Sequence, residues 1–168
     1  MTTAAATTTA TQLTEQQLGV IFQYTVEAYK TFEKLAENLP NPMSASTFKK
    51  FAEDEREVRD LLEIKYAASG TARVRVTLGG DLLFQDMIEG DLSYREMTEF
   101  LIARERTMEK KLMEFSRIAG SSDRNLLIYL AASKRAHIVQ LERELEMIKI
   151  YPDWYRREDA ESLIVHGA

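Results

Sequence analysis

Few side chains of this 168-residue sequence belong to types that do acid–base or metal chemistry, apart from ordinary surface charge. There are two histidines, His137 and His166, and no cysteine, which excludes disulfides, cysteine-ligated zinc and cysteine-ligated iron. His166 lies in the C-terminal tail, and we expect it to be exposed and to have no chemical role. No glycine-rich phosphate loop, Ser-His-Asp order or zinc-ligand spacing is present. His137 is therefore the more informative of the two histidines, and any chemistry that it does depends on which charged groups lie near it.

Carboxylates are abundant, but many of them belong to two charged runs. Residues 53–57 (Glu-Asp-Glu-Arg-Glu) and 142–146 (Glu-Arg-Glu-Leu-Glu) place opposite charges about one helical turn apart. This pattern is typical of helix faces that point into solvent. We therefore interpret both runs as mostly solvated surface.

Long helices are the elements that must position these groups. The sequence has only 7 glycines and 3 prolines, which leaves few helix breakers. Apolar residues recur three and four positions apart in four stretches, which is the spacing of a buried helical face. Thr14 with Gln17, and Ser93 with Glu96, have the spacing of a capping box. These two boxes predict where the first and third helices begin.

The other helix ends are predicted from breakers and single caps. Pro40 and Pro42 end the first helix, and the second begins at about Ser44. Ser122 or Asp123 is expected to cap the fourth helix, which runs to about residue 150.

An unusually long connection, residues 70–92, separates the second and third helices. The stretch 71–78 alternates apolar and polar residues, but Gly79 and Gly80 interrupt it. A single strand without a partner would be marginal. We predict an irregular crossover that carries the chain along the full length of the helices.

The sequence also contains the same helical pair twice. An aromatic residue followed three and four positions later by an aliphatic residue and alanine occurs in the first and the third stretch. A matching alanine occurs in the second and the fourth. The corresponding residues are Phe32 and Phe115, Leu35 and Ile118, Ala36 and Ala119, and Ala52 and Ala131.

This duplication resembles the ferritin-like, rubrerythrin-type four-helix bundle over residues 14–150. The resemblance implies an all-α, antiparallel four-helix bundle with a long crossover between the second and third helices. A flexible tail at residues 1–13 and a short appendage at residues 151–168 flank it. In that family two helices each supply a Glu, the other two each supply Glu-x-x-His, and the set holds a pair of iron or manganese ions.

Matched residue by residue, this chain keeps only part of the family's ligand set. Glu55 on the second helix and His137 on the fourth are retained. The remaining four positions hold Thr25, Val58, Met108 and Lys134. The resemblance thus implies a degenerate di-iron site.

One interpretation is that the bundle no longer uses a metal or any other cofactor. The Lys134 ammonium would then pair with Glu55 in place of the metal ions, because an unpaired buried charge is costly. Thr25 and His137 would complete a hydrogen-bonded polar cluster, and Val58 and Met108 would fill volume with apolar atoms. On this hypothesis the protein is a non-catalytic structural or interaction protein.

The alternative is that a reduced metal site survives. Glu105 lies one turn before Met108 and could reach inward, so Glu55, Glu105 and His137 would hold one divalent ion, iron or manganese. The resemblance then implies a metal-binding oxidoreductase or an iron-handling protein. Lys134 opposes this hypothesis, because its positive charge would repel the ion.

Composition gives further expectations about partners. The net charge of -5 argues against nucleic acid, and no apolar run approaches the ~20 residues of a membrane-spanning helix. The Ala/Thr-rich N-terminus lacks the basic start of a signal peptide, so we expect a cytoplasmic protein. Tyr151, Trp154 and Tyr155 lie in a tail with little else to cover them, which favours a homodimer.

Overall fold

The computed structural model describes residues 13–67, 76–82 and 92–165, and in these ranges it is all-helical, with four long helices packed together. The expected tail, the unpaired strand and His166 fall largely or wholly outside these ranges. The helices are α1 (Glu15–Asn38), α2 (Pro42–Tyr66), α3 (Tyr94–Ile118), α4 (Ser121–Ile150), a short 3-10 helix (Trp154–Arg156) and α5 (Ala160–Val165).

Both predicted capping boxes are confirmed. The Thr14 side chain accepts from the backbone N–H of Gln17 at 3.1 Å, and the Gln17 side chain accepts from the N–H of Thr14 at 2.9 Å. Ser93 and Glu96 make the same pair of bonds at the start of α3. Because these bonds join residues three apart, the sequence alone is enough to locate them.

The start of α2 differs from the prediction. The helix begins at Pro42, two residues before the predicted start at about Ser44, and Asn41 caps it. The Asn41 Oδ1 accepts from the backbone N–H of Met43 at 2.9 Å and of Ser44 at 3.1 Å. Pro42 occupies the first turn, where its missing N–H costs nothing and its fixed φ suits a helix. Pro42 therefore begins the second helix rather than only ending the first.

The predicted cap of α4 is wrong. The helix begins directly after Gly120, which makes no side-chain capping bond. Ser122 Oγ instead accepts from Lys65 Nζ at 2.6 Å, and Asp123 Oδ1 accepts from the Tyr66 hydroxyl at 2.6 Å. These side chains bind the last turn of α2, so they are not available to cap their own helix.

The apolar stripes of the four long helices form one core. The most extensive packing joins α1 to α2 and α3 to α4. Val58 and Met108 are buried in this core, as expected. Other fully buried side chains include Ile21, Phe32, Phe48, Leu101, Leu112, Leu127 and Leu141. No helix in the described residues is long and apolar enough to cross a membrane.

The segment after α4 packs against its own bundle. Trp154 and Tyr155 are 2% and 0% exposed. The Asn41 side chain donates to the Trp154 carbonyl at 2.7 Å, and the Asn41 backbone N–H donates to the Tyr155 carbonyl at 3.0 Å. The Tyr155 hydroxyl bonds Thr98 Oγ1 at 2.8 Å. The premise of the dimer prediction, that these two rings are uncovered, is therefore wrong.

Candidate functional site

Four charged or ionisable side chains from three helices meet in the core. Glu55 comes from α2, Glu105 from α3, and Lys134 and His137 from α4, and none is more than 3% exposed. The three-residue spacing of Lys134 and His137 places both on the same helix face. The structure thus brings together all three residues predicted as metal ligands, Glu55, Glu105 and His137, with Lys134 among them.

The Lys134 ammonium lies between the two glutamates. Its Nζ forms an ion pair with Glu55 Oε1 and lies 3.6 Å from Glu105 Oε2. The ammonium also lies 5.1 Å from the centre of the Tyr24 ring, within range of a cation–π contact. Burial disfavours the ammonium, but the charges of Glu105 and Glu55 outweigh it and raise the pKa of Lys134. Lys134 is therefore a cation in the folded protein.

His137 has a carboxylate oxygen at each ring nitrogen. Its Nδ1 lies 3.2 Å from Glu105 Oε1, and its Nε2 lies 2.9 Å from Asp54 Oδ2. A neutral imidazole has only one N–H, so two accepting carboxylates fit the doubly protonated ring. Burial lowers the pKa of His137, but the hydrogen bonds to Asp54 and Glu105 raise it to a net value above its ordinary one. His137 is thus best described as an imidazolium.

Aromatic rings hold the imidazolium in place. The Phe51 ring packs at 4.2 Å between ring centres and the Phe32 ring meets it edge-on at 5.9 Å. These contacts leave the two nitrogens facing their carboxylates. The orientation of His137 is therefore fixed by packing as well as by hydrogen bonds.

The two buried glutamates differ in their affinity for a proton. Burial raises the pKa of Glu55, and the nearby Lys134 ammonium only partly offsets this effect. Burial also acts on Glu105, but Lys134, His137 and the Tyr24 hydroxyl together lower its pKa. Glu105 is therefore firmly ionised. Glu55 takes up a proton more readily, and its Oε2 is buried without a hydrogen-bond partner in the described part of the chain.

Two members of the cluster were not predicted. Asp54 belongs to the run interpreted as solvated surface, yet it bonds His137 and also accepts from Lys50 Nζ at 2.6 Å. Tyr24 donates its hydroxyl to Glu105 Oε2 at 3.3 Å. No spacing in the sequence signals either contact, because each joins residues of different helices.

Thr25, expected in the polar cluster, does not take part in it. Its hydroxyl donates to the Ile21 carbonyl of its own helix at 2.8 Å. A threonine inside a helix commonly bonds the carbonyl four residues back in this way. Tyr24, one position earlier, supplies the hydroxyl from α1 instead.

The donor set does not fit a pair of metal ions. Glu55, Glu105 and His137 each have a ligand atom within 4.8 Å of the other two, a spacing compatible with one ion. The Lys134 ammonium, however, contacts both glutamates, and both His137 nitrogens face carboxylates. A metal ligand must present an unprotonated nitrogen. One ion would have to displace Lys134 and remove one proton from His137.

Comparison with known proteins identifies a shared fold only. The chain is similar to a hypothetical protein from Pyrococcus furiosus of known structure, with 18% sequence identity and a TM-score of 0.67. The match covers 82% of this chain and 90% of that one. No protein-family model and no curated protein matches the sequence. At this level of identity, the similarity shows a shared helical architecture and gives no information about activity.

Proposed function

We propose that this chain is an antiparallel, ferritin-like four-helix bundle that acts as a non-catalytic structural or interaction protein. Connections of only a few residues join α1 to α2 and α3 to α4, which favours antiparallel neighbours. The start of α2 contacts the end of α4 through Ser44 and Glu144, and the end of α2 contacts the start of α4 through Lys65 and Ser122. These contacts support the same arrangement for α2 and α4.

One observation carries the functional part of the proposal: the four fully buried charged groups balance one another. Asp54, which is only partly buried, also pairs with Lys50 at 2.6 Å and is not counted among them. Glu55 and Glu105 supply two negative charges, and Lys134 and His137 supply two positive ones. Buried carboxylates need a cationic partner, which in the family is the metal pair. Here the two side-chain cations take that role, so the core needs no metal to be neutral.

Burial of the cluster also argues against catalysis. The four residues are at most 3% exposed, so a substrate could reach them only if the helices separated. Catalytic groups usually line a cleft that admits the substrate. A closed ion-pair cluster instead specifies how α2, α3 and α4 pack together.

Metal content tests this proposal directly. Protein purified from iron- and manganese-supplemented cells should contain far less than one equivalent of either metal. Its thermal midpoint should be the same with and without a chelator, because anything that binds only the folded state raises that midpoint. A stoichiometric metal that the chelator removes, with a lower midpoint afterwards, would contradict the metal-free interpretation.

A second candidate function is metal binding by Glu55, Glu105 and His137. The partnerless Oε2 of Glu55 and the closeness of the three ligand atoms favour it. If it is correct, Lys134→Met should increase the affinity for Mn²⁺, because it removes a competing cation. Affinity should also rise with pH, since His137 must lose a proton to bind. Calorimetric titration with Mn²⁺ and Fe²⁺ distinguishes the two candidates.

We also propose that the protein forms a homodimer, on the basis of exposed apolar side chains rather than of the C-terminal aromatic rings. Leu61 and Ile64 on α2 are 41% and 82% exposed, and Ile128 and Tyr129 on α4 are 44% and 58% exposed. Unlike the buried Trp154, these exposed apolar side chains are accessible to a second copy of the chain. Light scattering at high micromolar concentration should give the mass of two chains, and a monomer would contradict it.

A further inference from the structure

A groove lies outside the ion-pair cluster, between α2, α3, α4 and the C-terminal segment. Its volume is about 1050 Å³. Apolar side chains form much of its wall, including Met43, Ile102, Val139, Trp154 and Ile164. Three of these are unusually exposed for apolar residues, since Met43, Val139 and Ile164 are 36%, 44% and 49% accessible. The groove is large enough for a small ligand with an apolar chain.

A buried carboxylate lines the same groove. Glu144 is only 8% exposed, and its Oε2 accepts hydrogen bonds from Ser44 Oγ at 2.8 Å and Trp154 Nε1 at 2.6 Å. Burial raises the pKa of Glu144, although these bonds act in the opposite direction. Within the described residues, no lysine, arginine or histidine forms an ion pair with it. This contrasts with Glu55 and Glu105, which have cationic partners.

The other charges of the groove are paired or exposed. Arg106 forms an ion pair with Glu142, and Lys149 forms one with Glu146. Arg143 is exposed, so water and salt screen its charge. Among the described residues that line the groove, Glu144 is therefore the acidic side chain that is both buried and without a cationic partner. An ammonium placed beside it would be screened less than one at the surface.

We propose that this groove binds an apolar primary amine, with the ammonium group against Glu144 and the alkyl chain along Val139, Met43 and Ile164. The ammonium would supply the cation that Glu144 lacks, and its three N–H donors suit a carboxylate that also accepts from Ser44 and Trp154. The chain would cover the exposed apolar side chains. This proposal is independent of the ion-pair cluster.

Trp154 provides a reporter for this binding. It is the only tryptophan in the sequence, and its indole N–H bonds the carboxylate that would receive the amine. Titration with n-octylamine at neutral pH should shift the tryptophan emission in a saturable way. Octan-1-ol and octanoate, with the same chain but no positive charge, should bind more weakly by about tenfold or more, as expected for loss of a charged hydrogen bond.

Paired variants test the carboxylate of the site and its apolar wall separately. Glu144→Gln keeps an oxygen that accepts from Trp154 and Ser44 but removes the charge, so octylamine affinity should fall by about tenfold. Glu146→Gln, an exposed residue of the same groove, should have little effect. Val139→Ser should weaken octylamine and octanol alike, whereas Ile128→Ser should not. Val139 and Ile128 are equally exposed at 44% and lie on the same helix, but only Val139 lines the groove.

The proposal is overturned if octanoate or octanol binds as tightly as octylamine, or if Glu144→Gln binds octylamine like the wild type. It is also overturned if light scattering shows a dimer that excludes octylamine, because the groove would then be an interface between copies. Circular dichroism of each variant must show an unchanged helical signal at the concentrations of the titration. A signal lost together with octylamine binding would mean that the amine acts as a denaturant, which also overturns the proposal.

Discussion

The Lys134 ammonium lies 3.6 Å from Oε2 of Glu105, although the two residues belong to different helices and neither side chain is more than 4% exposed. The same ammonium forms an ion pair with Glu55. A buried cation in contact with two carboxylates ties α2, α3 and α4 together. Removing any one of these three charged groups leaves a buried charge without its partner, and the loss of folding stability can be measured.

Glu55→Ala should strongly destabilise the fold. It removes one of the two acceptors of Lys134 and leaves the cluster with excess positive charge in the core. The free energy of unfolding, measured by urea denaturation, should fall by about 3–5 kcal/mol, the range for breaking a buried ion pair. Glu53→Ala, an exposed change on the same helix, is the control and should leave it nearly unchanged. A loss for Glu55→Ala no larger than that of the control would show that the pair contributes little.

Replacing Glu55 and Lys134 together should recover much of that loss. Glu55→Leu with Lys134→Met substitutes apolar groups of similar volume, and such replacements of buried ion pairs are often neutral or stabilising. The double variant should therefore unfold at a higher urea concentration than Glu55→Ala. His137 and Glu105 remain to balance each other in it. If the double variant is less stable than Glu55→Ala, the charges themselves are required for folding.

His137 should remain protonated above its ordinary pKa of 6.5, because Asp54 and Glu105 accept from its two nitrogens. A pKa raised in the folded state means that this contribution to stability is complete below 6.5 and is lost as pH rises through the folded-state pKa. Nitrogen-resolved NMR titration of the imidazole measures that value directly.

Asp54→Asn provides the matched variant for this titration. It removes the carboxylate charge at Nε2, so the pKa of His137 should fall relative to the wild type. Asp60→Asn, which changes an exposed aspartate paired with Arg59, should leave the His137 titration unchanged. A wild-type imidazole that titrates below 6.5 would contradict the doubly protonated assignment.

Tyr24→Phe should destabilise the protein modestly. The Tyr24 hydroxyl donates to Glu105 Oε2 at 3.3 Å inside the core, and a hydrogen bond to a charged group is worth about 1.5–3 kcal/mol. Because this hydrogen bond is long, we expect a loss of stability at the lower end of that range. Tyr29→Phe removes a comparable bond to Glu33 on the exposed face and should have almost no effect. Equal losses in the two variants would mean that the Glu105 contact is not specific.

Asn41→Ala should cost more than an ordinary helix cap. Asn41 caps α2 and also donates to the Trp154 carbonyl at 2.7 Å, whereas Thr14 only caps α1. Thr14→Ala should lower the free energy of unfolding by about 1 kcal/mol, and Asn41→Ala by roughly twice that. Trp154 emission should move to longer wavelength only in Asn41→Ala. Unchanged emission would show that the C-terminal segment is held by its apolar contacts alone.

The sequence by itself determined the features that depend on short-range spacing. The capping boxes at Thr14 and Ser93 join residues three positions apart, so their partners are fixed by the helix itself. Apolar spacing likewise determined which helix faces are buried, and this register carried Glu55 and His137 into the core together. Glu105 could be predicted as a core residue because it lies one helical turn before Met108, which faces inward.

Only the tertiary structure decided which side chains meet across helices. Asp54 reaches His137, Tyr24 rather than Thr25 reaches Glu105, and Asn41 holds the segment around Trp154. Each of these contacts depends on the rotation and separation of packed helices, which a periodic pattern of apolar residues leaves free by tens of degrees. The sequence pattern therefore assigns a residue at the border of a buried helix face to the surface. Whether that residue is in fact buried depends on how the adjacent helix packs against it.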